Sequence, residues 1–199
     1  VTDAPGVSRE PRLAWTGTSW ALAWIAGRDA AAPGEEQILL AALDAAGVVA
    51  GSPVPLTTEA RAPHDLALVW NGGRLAVTWT DSRAGFDRVF LRVVDASGAG
   101  DPERPLTTAT AGASMSSVAW GGFEWTAAWA QAATAATEIV AAWYPPSGTP
   151  EEGKTVVGPG VAGDAQPSLA WNGAGYGLAW VGDDAGTSQV FFALVGCPP

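Results

Sequence analysis

This sequence is poor in the residues that usually build disulfides, metal sites and nucleophilic triads. Its 199 residues include one cysteine, Cys197, and one histidine, His64. A lone cysteine forms no internal disulfide, and one cysteine and one histidine so far apart in sequence do not indicate a zinc site of the usual kind. A Ser-His-Asp triad would have to use His64, and no Gly-x-Ser-x-Gly motif is present. The sequence therefore gives no support to any of these three chemistries.

Positive charge and long apolar runs are also scarce. Lys and Arg number 10 against 20 Asp and Glu, which gives a net charge of −10 and an isoelectric point of about 4.3. Nucleic acids and anionic membranes attract basic patches, so neither is expected as a partner. No run of about 18 apolar residues occurs, so membrane insertion is not expected. The acidic balance fits a secreted, periplasmic or cell-surface protein, or one that binds a cation.

Tryptophan, in contrast, is abundant, and eight of the 11 tryptophans form a repeat. In each of four units one Trp is followed nine positions later by another. The pairs are Trp15/Trp24, Trp70/Trp79, Trp120/Trp129 and Trp171/Trp180. The first Trp residues of successive pairs are 55, 50 and 51 positions apart. A period of this size, with short strands in each unit, indicates a β-propeller.

Each unit predicts four antiparallel strands. The first strand ends at the first Trp, and in three units an Asn-Gly or Gly-Gly turn follows it. The second strand ends at the second Trp. The third is an apolar run that ends at a glycine-containing turn, and the fourth is a short Val/Leu-Thr stretch. The apolar runs are residues 37–43, 88–94, 138–144 and 189–195.

The phase of the repeat predicts one four-bladed propeller domain over residues 1–199. The units span about 4–55, 56–105, 106–156 and 157–199. The last unit stops after its third strand, at Val195, and Val1–Asp3 align with the fourth strand of the other units. We therefore expect the N-terminal strand to complete the last blade and remove its open edge. The alternatives are an open stack of blades or a fragment of a larger ring.

The paired tryptophans are expected to pack between blades rather than to bind sugars. They recur at the same strand positions in every unit, and small residues such as Ala23, Thr78 and Ala128 alternate with them. A large side chain against a small one is how neighbouring sheets interlock, and each buried Trp removes about 150–250 Å² from water.

Candidate ligand-binding residues lie in the loops that share one rim of the predicted propeller. Function usually sits where loops vary on a constant scaffold. Glu10, Asp65, Met115 and Gln166 align just before the first strand of each unit and are expected to surround the mouth of the central channel. Ca²⁺ or another cation is possible there, at Glu10 and Asp65, because carboxylates are its preferred ligands. The full candidate set is Glu10, Arg28, Asp29, His64, Asp65, Asp81, Arg83, Gln166, Asp183 and Asp184.

Residues 79–98 resemble the repeat of secreted and lipoprotein-type bacterial β-propellers. The segment begins Trp-Thr-Asp-Ser-Arg-Ala-Gly, continues as a β run and ends Asp-Ala-Ser-Gly. At the level of architecture alone, the chain is also similar to tachylectin-2-like and hemopexin-like propellers. The resemblance implies the fold and carries no functional residue across, because fold alone does not give function.

The expected function is a non-enzymatic, lectin-like binding module that presents this rim to a carbohydrate or protein ligand, with a monomer favoured. One alternative is a structural or protein-interaction domain of a larger cell-surface or secreted protein, with Cys197 linking this domain to the rest of that protein. The other is a hydrolase that uses rim carboxylates such as Asp81 and Asp183, since glycoside hydrolysis needs a pair of them.

Overall fold

The described part of the chain is built from β-strands alone. The computed structural model describes residues 6–27, 36–107, 112–134, 136–146, 154–162 and 164–196. Within these ranges the strands form four antiparallel sheets, three of four strands and one of three. These ranges contain no helix, and so no helical segment long and apolar enough to cross a membrane. The predicted all-β propeller of four blades is confirmed.

Each sheet takes its strands from consecutive stretches of chain and forms one blade. Blade 1 contains β1 Ser8–Trp15, β2 Trp20–Gly27, β3 Glu36–Leu43 and β4 Val49–Pro55. Blade 2 contains β5 His64–Trp70, β6 Leu75–Asp81, β7 Arg88–Val94 and β8 Arg104–Pro105. Blade 3 contains β9 Ala113–Trp120, β10 Trp125–Ala132, β11 Thr137–Tyr144 and β12 Lys154–Gly160. Blade 4 contains β13 Ser168–Trp171, β14 Tyr176–Asp184 and β15 Thr187–Val195.

The outer strands lie slightly earlier in blades 1 and 2 than the sequence predicts. The expected Val/Leu-Thr stretch begins at Leu56 in blade 1, whereas β4 ends at Pro55. Leu56 still donates its N–H to the Ile38 carbonyl (2.7 Å), but the next pairing is made by a side chain. The Thr57 hydroxyl accepts the Ile38 N–H at 2.9 Å, so the ladder ends where a threonine hydroxyl replaces a carbonyl.

The second Trp of each pair is buried, and in three units it lies in the core between blades. Trp79, Trp129 and Trp180 are 0%, 1% and 5% exposed. Trp79 shares its core with Ala21 and Ala23 of the preceding blade. Burying such a side chain contributes at most about 4–6 kcal/mol, from about 150–250 Å² at about 25 cal/mol per Å². The predicted packing of large against small residues is confirmed for these three.

The first Trp of each pair is less buried than the repeat predicts. Trp15 is 44% exposed, and its counterparts in the other blades are half-buried. Trp15 instead packs on Trp20, the first residue of the next strand, with ring centroids 4.7 Å apart. Blades 3 and 4 repeat this contact at the same separation. Trp15 therefore lies at the hairpin end of its own blade, whereas Trp70, Trp120 and Trp171 also pack against the cores between blades, as predicted.

Successive blades pack through their inner strands, but the arc is not joined into a ring within the described residues. β1 lies against β5, β5 against β9, and β9 against β13. No comparable packing joins β13 to β1 in that part of the chain. The predicted closing strand, Val1–Asp3, and Cys197 lie outside the described residues. Closure of blade 4 by Val1–Asp3 therefore stays a prediction.

Candidate functional site at the channel mouth

One position repeats in all four blades with a left-handed backbone, and we call it the rim position. It is occupied by Glu10, Asp65, Met115 and Gln166, whose φ angles are 52°, 54°, 58° and 41°. In blades 1 to 3 the pairing of the inner strand shifts register here. A non-glycine residue in this region costs about 1–3 kcal/mol and often marks a functional site.

The rim position links each blade to the next. The Glu10 carboxylate (Oε2) accepts the Leu66 N–H at 3.0 Å. The Asp65 carboxylate (Oδ2) accepts the Met115 N–H at 2.7 Å. The backbone N–H of Gln166 donates weakly to the Met115 sulfur, and the two atoms are 3.5 Å apart. The side chains of blades 1 to 3 therefore each reach the backbone of the following blade.

A cavity of about 170 Å³ opens among the rim residues. It is smaller than the sites of about 300–1,000 Å³ that hold drug-sized ligands, so it suits one small chemical group. Its polar lining includes one carboxylate, one guanidinium, one hydroxyl and one amide. The lining residues are Arg12, Asp65, Leu66, Met115, Ser116, Gln166 and Pro167.

Asp65 is the carboxylate in the cavity wall, and polar groups hold it in place. The Thr80 hydroxyl donates to its Oδ2 at 3.3 Å, in addition to the Met115 N–H. His64 Nε2 lies 3.7 Å from the carboxylates of both Asp65 and Asp87. The carboxylate is therefore held by neighbours on blades 2 and 3.

Glu10 lies beside this wall and is oriented by Arg9. The Arg9 guanidinium donates to Glu10 at 3.0 Å and to Glu36 at 2.8 Å, and also to the Pro63 carbonyl. Glu10 also accepts the N–H of Leu66, a residue that lines the cavity. Leu66 directly follows Asp65 in the chain, so Glu10 contacts the backbone next to Asp65. Across the mouth, Gln166 hydrogen-bonds Asp164.

Asp81 and Arg83, two of the predicted ligand-binding residues, form a buried structural network instead. Asp81 is fully buried and accepts the Trp79 indole N–H at 2.8 Å. Arg83 pairs with Asp81 at 2.6 Å and with Glu103 at 2.7 Å. Burial alone would lower the pKa of the Arg83 guanidinium, but its hydrogen bonds to the two carboxylates outweigh burial and raise it. The pair is therefore enclosed rather than presented to a ligand.

The other predicted residues are not gathered at the cavity. The Asp183 carboxylate accepts the Gly186 N–H at 3.0 Å within the β14–β15 hairpin, and Asp184 is exposed in the same hairpin. Arg28 and Asp29 lie outside the described residues. Of the ten predicted residues, the structure therefore brings Glu10, Asp65 and Gln166 together, with His64 beside them.

A cation at Glu10 and Asp65 receives no support from the geometry. Across the described ranges, no group of three or more His, Cys, Asp or Glu side chains could hold a metal ion. Each of the two carboxylates also accepts a backbone N–H group through one of its oxygens.

Sequence reasoning missed two polar residues of the cavity, Arg12 and Ser116. Both follow the rim position closely, by two residues in blade 1 and one in blade 3. Their closeness to the aligned rim position was the only signal in the sequence, because the left-handed bend at that position is visible only in the structure. Ser116 is held by a hydrogen bond to the Thr78 hydroxyl at 3.1 Å.

With this geometry in place, the fold can be compared with known proteins. No protein-family model and no curated protein sequence matches the chain. Among solved structures, an α-L-arabinofuranosidase from Lactobacillus brevis aligns with a TM-score of 0.55 at 10% identity over 94% of this chain and 72% of its own. A thermostable family-43 glycoside hydrolase aligns with 0.57 at 8% identity over 98% and 72%. An endo-arabinase from Bacteroides thetaiotaomicron aligns with 0.57 at 8% identity over 94% and 75%.

These neighbours correct the functional expectation. All three are glycoside hydrolases, so the non-enzymatic, lectin-like module and its structural or interaction-domain alternative are contradicted. The tachylectin-like and hemopexin-like resemblance also gains no support from them. The expectation was wrong because the repeat reveals the scaffold, whereas the chemistry depends on the few residues that differ between blades. At this identity the likeness itself establishes the propeller fold.

Proposed function

We propose that this propeller is a glycoside hydrolase whose active site is the cavity at the channel mouth, with Asp65 and Glu10 as its acid–base carboxylates. The observation that carries the proposal is that the Glu10 carboxylate, from blade 1, accepts the N–H of Leu66, the residue of the cavity wall that follows Asp65 in blade 2. The propeller likeness to glycoside hydrolases supports the same class of reaction.

Glycoside hydrolysis needs this combination of groups. One carboxylic acid protonates the leaving oxygen, while the other carboxylate activates water or attacks the sugar carbon. Asp65 faces the cavity, and Glu10 approaches it from blade 1. Arg12, Ser116 and Gln166 add hydrogen-bonding groups to the wall, which suits the hydroxyl groups of a sugar.

The first substrates to test contain arabinose. Two of the neighbours are named as an arabinofuranosidase and an endo-arabinase. Arabinan and a chromogenic α-L-arabinofuranoside distinguish attack within a polymer from removal of a terminal sugar. Xylan and starch serve as comparison substrates of different sugar content.

The test replaces each carboxylate by its amide. Asp65→Asn and Glu10→Gln keep an oxygen that accepts the Met115 and Leu66 N–H groups, so both variants are expected to fold like the unaltered protein. Hydrolysis should fall by about 100-fold or more, because general acid–base groups contribute about 10²–10⁴ in rate. The matched control is Asp183→Asn, whose carboxylate serves only the β14–β15 hairpin.

Two results would contradict the proposal. One is full activity in Asp65→Asn, which would move the chemistry elsewhere. The other is the absence of hydrolysis by the unaltered protein on all these glycosides.

A further inference from the structure

The cavity at the channel mouth is not symmetric, because blade 1 contributes to it differently from the other blades. Blades 2, 3 and 4 each contribute their rim position and the residue that follows it, whereas blade 1 contributes Arg12, two residues after its rim position. The inner-strand positions that align with Arg12 hold small residues in the other blades: Ala67, Ser117 and Ser168. One long cationic side chain therefore distinguishes the blade 1 side of the cavity.

The Arg12 guanidinium forms no ion pair with a carboxylate of the described residues. Arg12 is exposed, and its side chain donates a hydrogen bond to the adjacent Pro11 carbonyl at 3.0 Å. By contrast, Arg9, Arg74 and Arg83 each lie within 3.1 Å of a carboxylate oxygen. In a chain with 20 Asp and Glu against 10 Lys and Arg, a guanidinium that lines a cavity without such a partner is available to a ligand.

A guanidinium of this kind is suited to a carboxylate ligand. Its planar fork of N–H groups matches the two oxygens of a carboxylate, and such charge-assisted pairs are stronger than hydrogen bonds between neutral groups. The cavity of about 170 Å³ suits one small chemical group, and a carboxylate is such a group. Gln166 provides a second donor in the wall, because its amide keeps an N–H beyond the one that Asp164 accepts.

The negative charge already at the mouth is partly compensated. Arg9 pairs with Glu10 at 3.0 Å, and the Asp65 carboxylate accepts hydrogen bonds from the Thr80 hydroxyl and the Met115 N–H. Glycoside hydrolysis also needs one of its two carboxyl groups in the neutral, protonated form. An anionic group bound at Arg12 therefore meets less repulsion than the net charge of −10 suggests.

We propose that Arg12 forms a carboxylate subsite, and that the cavity prefers glycosides of a uronic acid over those of the matching neutral sugar. The inference rests on the proposed function, because it names the class of sugar that the same site hydrolyses best. L-Arabinose in its pyranose form, D-galactose and D-galacturonic acid share the configuration of their ring hydroxyl groups. They differ in one substituent of the ring, which is hydrogen, hydroxymethyl or carboxylate. A single charged group in the wall is enough to distinguish these three sugars.

Binding is measured first, because it does not require hydrolysis. NMR titration of the protein with D-galacturonate, D-galactose, L-arabinose and D-galactose 6-sulfate compares the substituents directly. D-Galacturonate should bind more tightly than D-galactose by about tenfold or more, as expected for a hydrogen bond between charged groups. Its affinity should fall as the NaCl concentration is raised, whereas the affinity for D-galactose should not.

Substitution of Arg12 tests the residue itself. Arg12→Gln should reduce the affinity for D-galacturonate to that for D-galactose, and should lower kcat/KM for 4-nitrophenyl β-D-galacturonide by about tenfold or more. For the neutral 4-nitrophenyl α-L-arabinopyranoside, kcat/KM should stay nearly unchanged. Arg12→Lys keeps the charge without the planar fork and should give intermediate values for the uronide.

Two controls separate this effect from changes in fold or net charge. Arg12 is exposed and bonds an adjacent carbonyl, so its variants should keep the melting temperature of the unaltered protein. Arg61→Gln removes the same charge at an exposed residue outside the cavity lining, and should leave the binding and hydrolysis of both kinds of sugar unaffected.

Equal affinity for D-galacturonate and D-galactose, or a preference that survives in Arg12→Gln, would overturn the proposal. Tighter binding of D-galactose 6-sulfate than of D-galacturonate would also overturn it, in favour of a sulfate subsite. Hydrolysis of neutral glycosides without a preference for the uronide would reject the subsite and leave the proposed function standing. Arg12-dependent binding of D-galacturonate without hydrolysis of any glycoside would support the subsite and reject the proposed function.

Discussion

Removing the Asp81 carboxylate should destabilise the protein strongly without involving the channel mouth. Asp81 is fully buried, while the Arg83 side chain is 20% exposed. Asp81→Ala leaves the Trp79 indole N–H and much of the Arg83 guanidinium without an acceptor. Breaking a buried ion pair costs about 3–5 kcal/mol, and we expect the lower end, about 3 kcal/mol, because Glu103 still pairs with Arg83.

Thermal and urea denaturation followed by circular dichroism measure this loss. For a chain of this length about 3 kcal/mol corresponds to a fall of about 6–12 °C in melting temperature. Asp81→Asn should lose less, since its amide oxygen can still accept the Trp79 N–H. Asp183→Ala, at an exposed hairpin, is the control and should cost less than about 1 kcal/mol. A fall of under about 2 °C in Asp81→Ala would refute the assignment of this network as structural.

Two further outcomes follow from local geometry. Gln166→Gly should raise the free energy of unfolding by up to about 1 kcal/mol. Gln166 is exposed and has a left-handed φ of 41°, which glycine adopts without strain. An unchanged or lower free energy of unfolding in a urea titration would show instead that the Gln166 side chain stabilises the mouth. The Asp95 carboxylate accepts hydrogen bonds from the Ser97 hydroxyl and from backbone N–H groups of its turn, which lowers its pKa. The stability it contributes is therefore present above the unfolded value near pH 4 and is lost as pH falls through the lower folded pKa. Asp95→Asn should show a smaller loss of stability than the unaltered protein over that acidic range, and identical pH profiles would contradict this.

The strands were predictable from sequence because the tryptophan spacing and the turns mark their ends independently. Trp70 closes β5, Asn71-Gly72 makes the turn, and β6 begins at Leu75. The ends of the outer strands were less predictable. The Thr57 hydroxyl takes the place of a backbone carbonyl as the acceptor of the Ile38 N–H, and no sequence pattern predicts this substitution.

The candidate site was predictable only in part. The direction of a side chain near the end of a strand depends on where the strand ends, and the sequence does not fix that position. Asp81 follows Trp79 in a segment that reads as a loop, and so it was expected on the exposed rim. β6 continues through Asp81, and residues two apart in a strand share a face. Asp81 therefore points inward with Trp79, a consequence that only the strand boundary reveals.

The rim position shows how a repeated scaffold produces an asymmetric site. All four blades keep the left-handed backbone, including those with Met115 and Gln166, so the conformation belongs to the scaffold and not to the chemistry of any one side chain. What differs is the group that this backbone directs toward the next blade. In blades 1 and 2 it is a carboxylate that meets a backbone N–H at 3.0 Å and 2.7 Å, and in blade 3 it is a thioether sulfur at 3.5 Å. Only blades 1 and 2 therefore place a fixed negative charge at the mouth through this position, which is why both of the proposed acid–base carboxylates lie in that half of the channel.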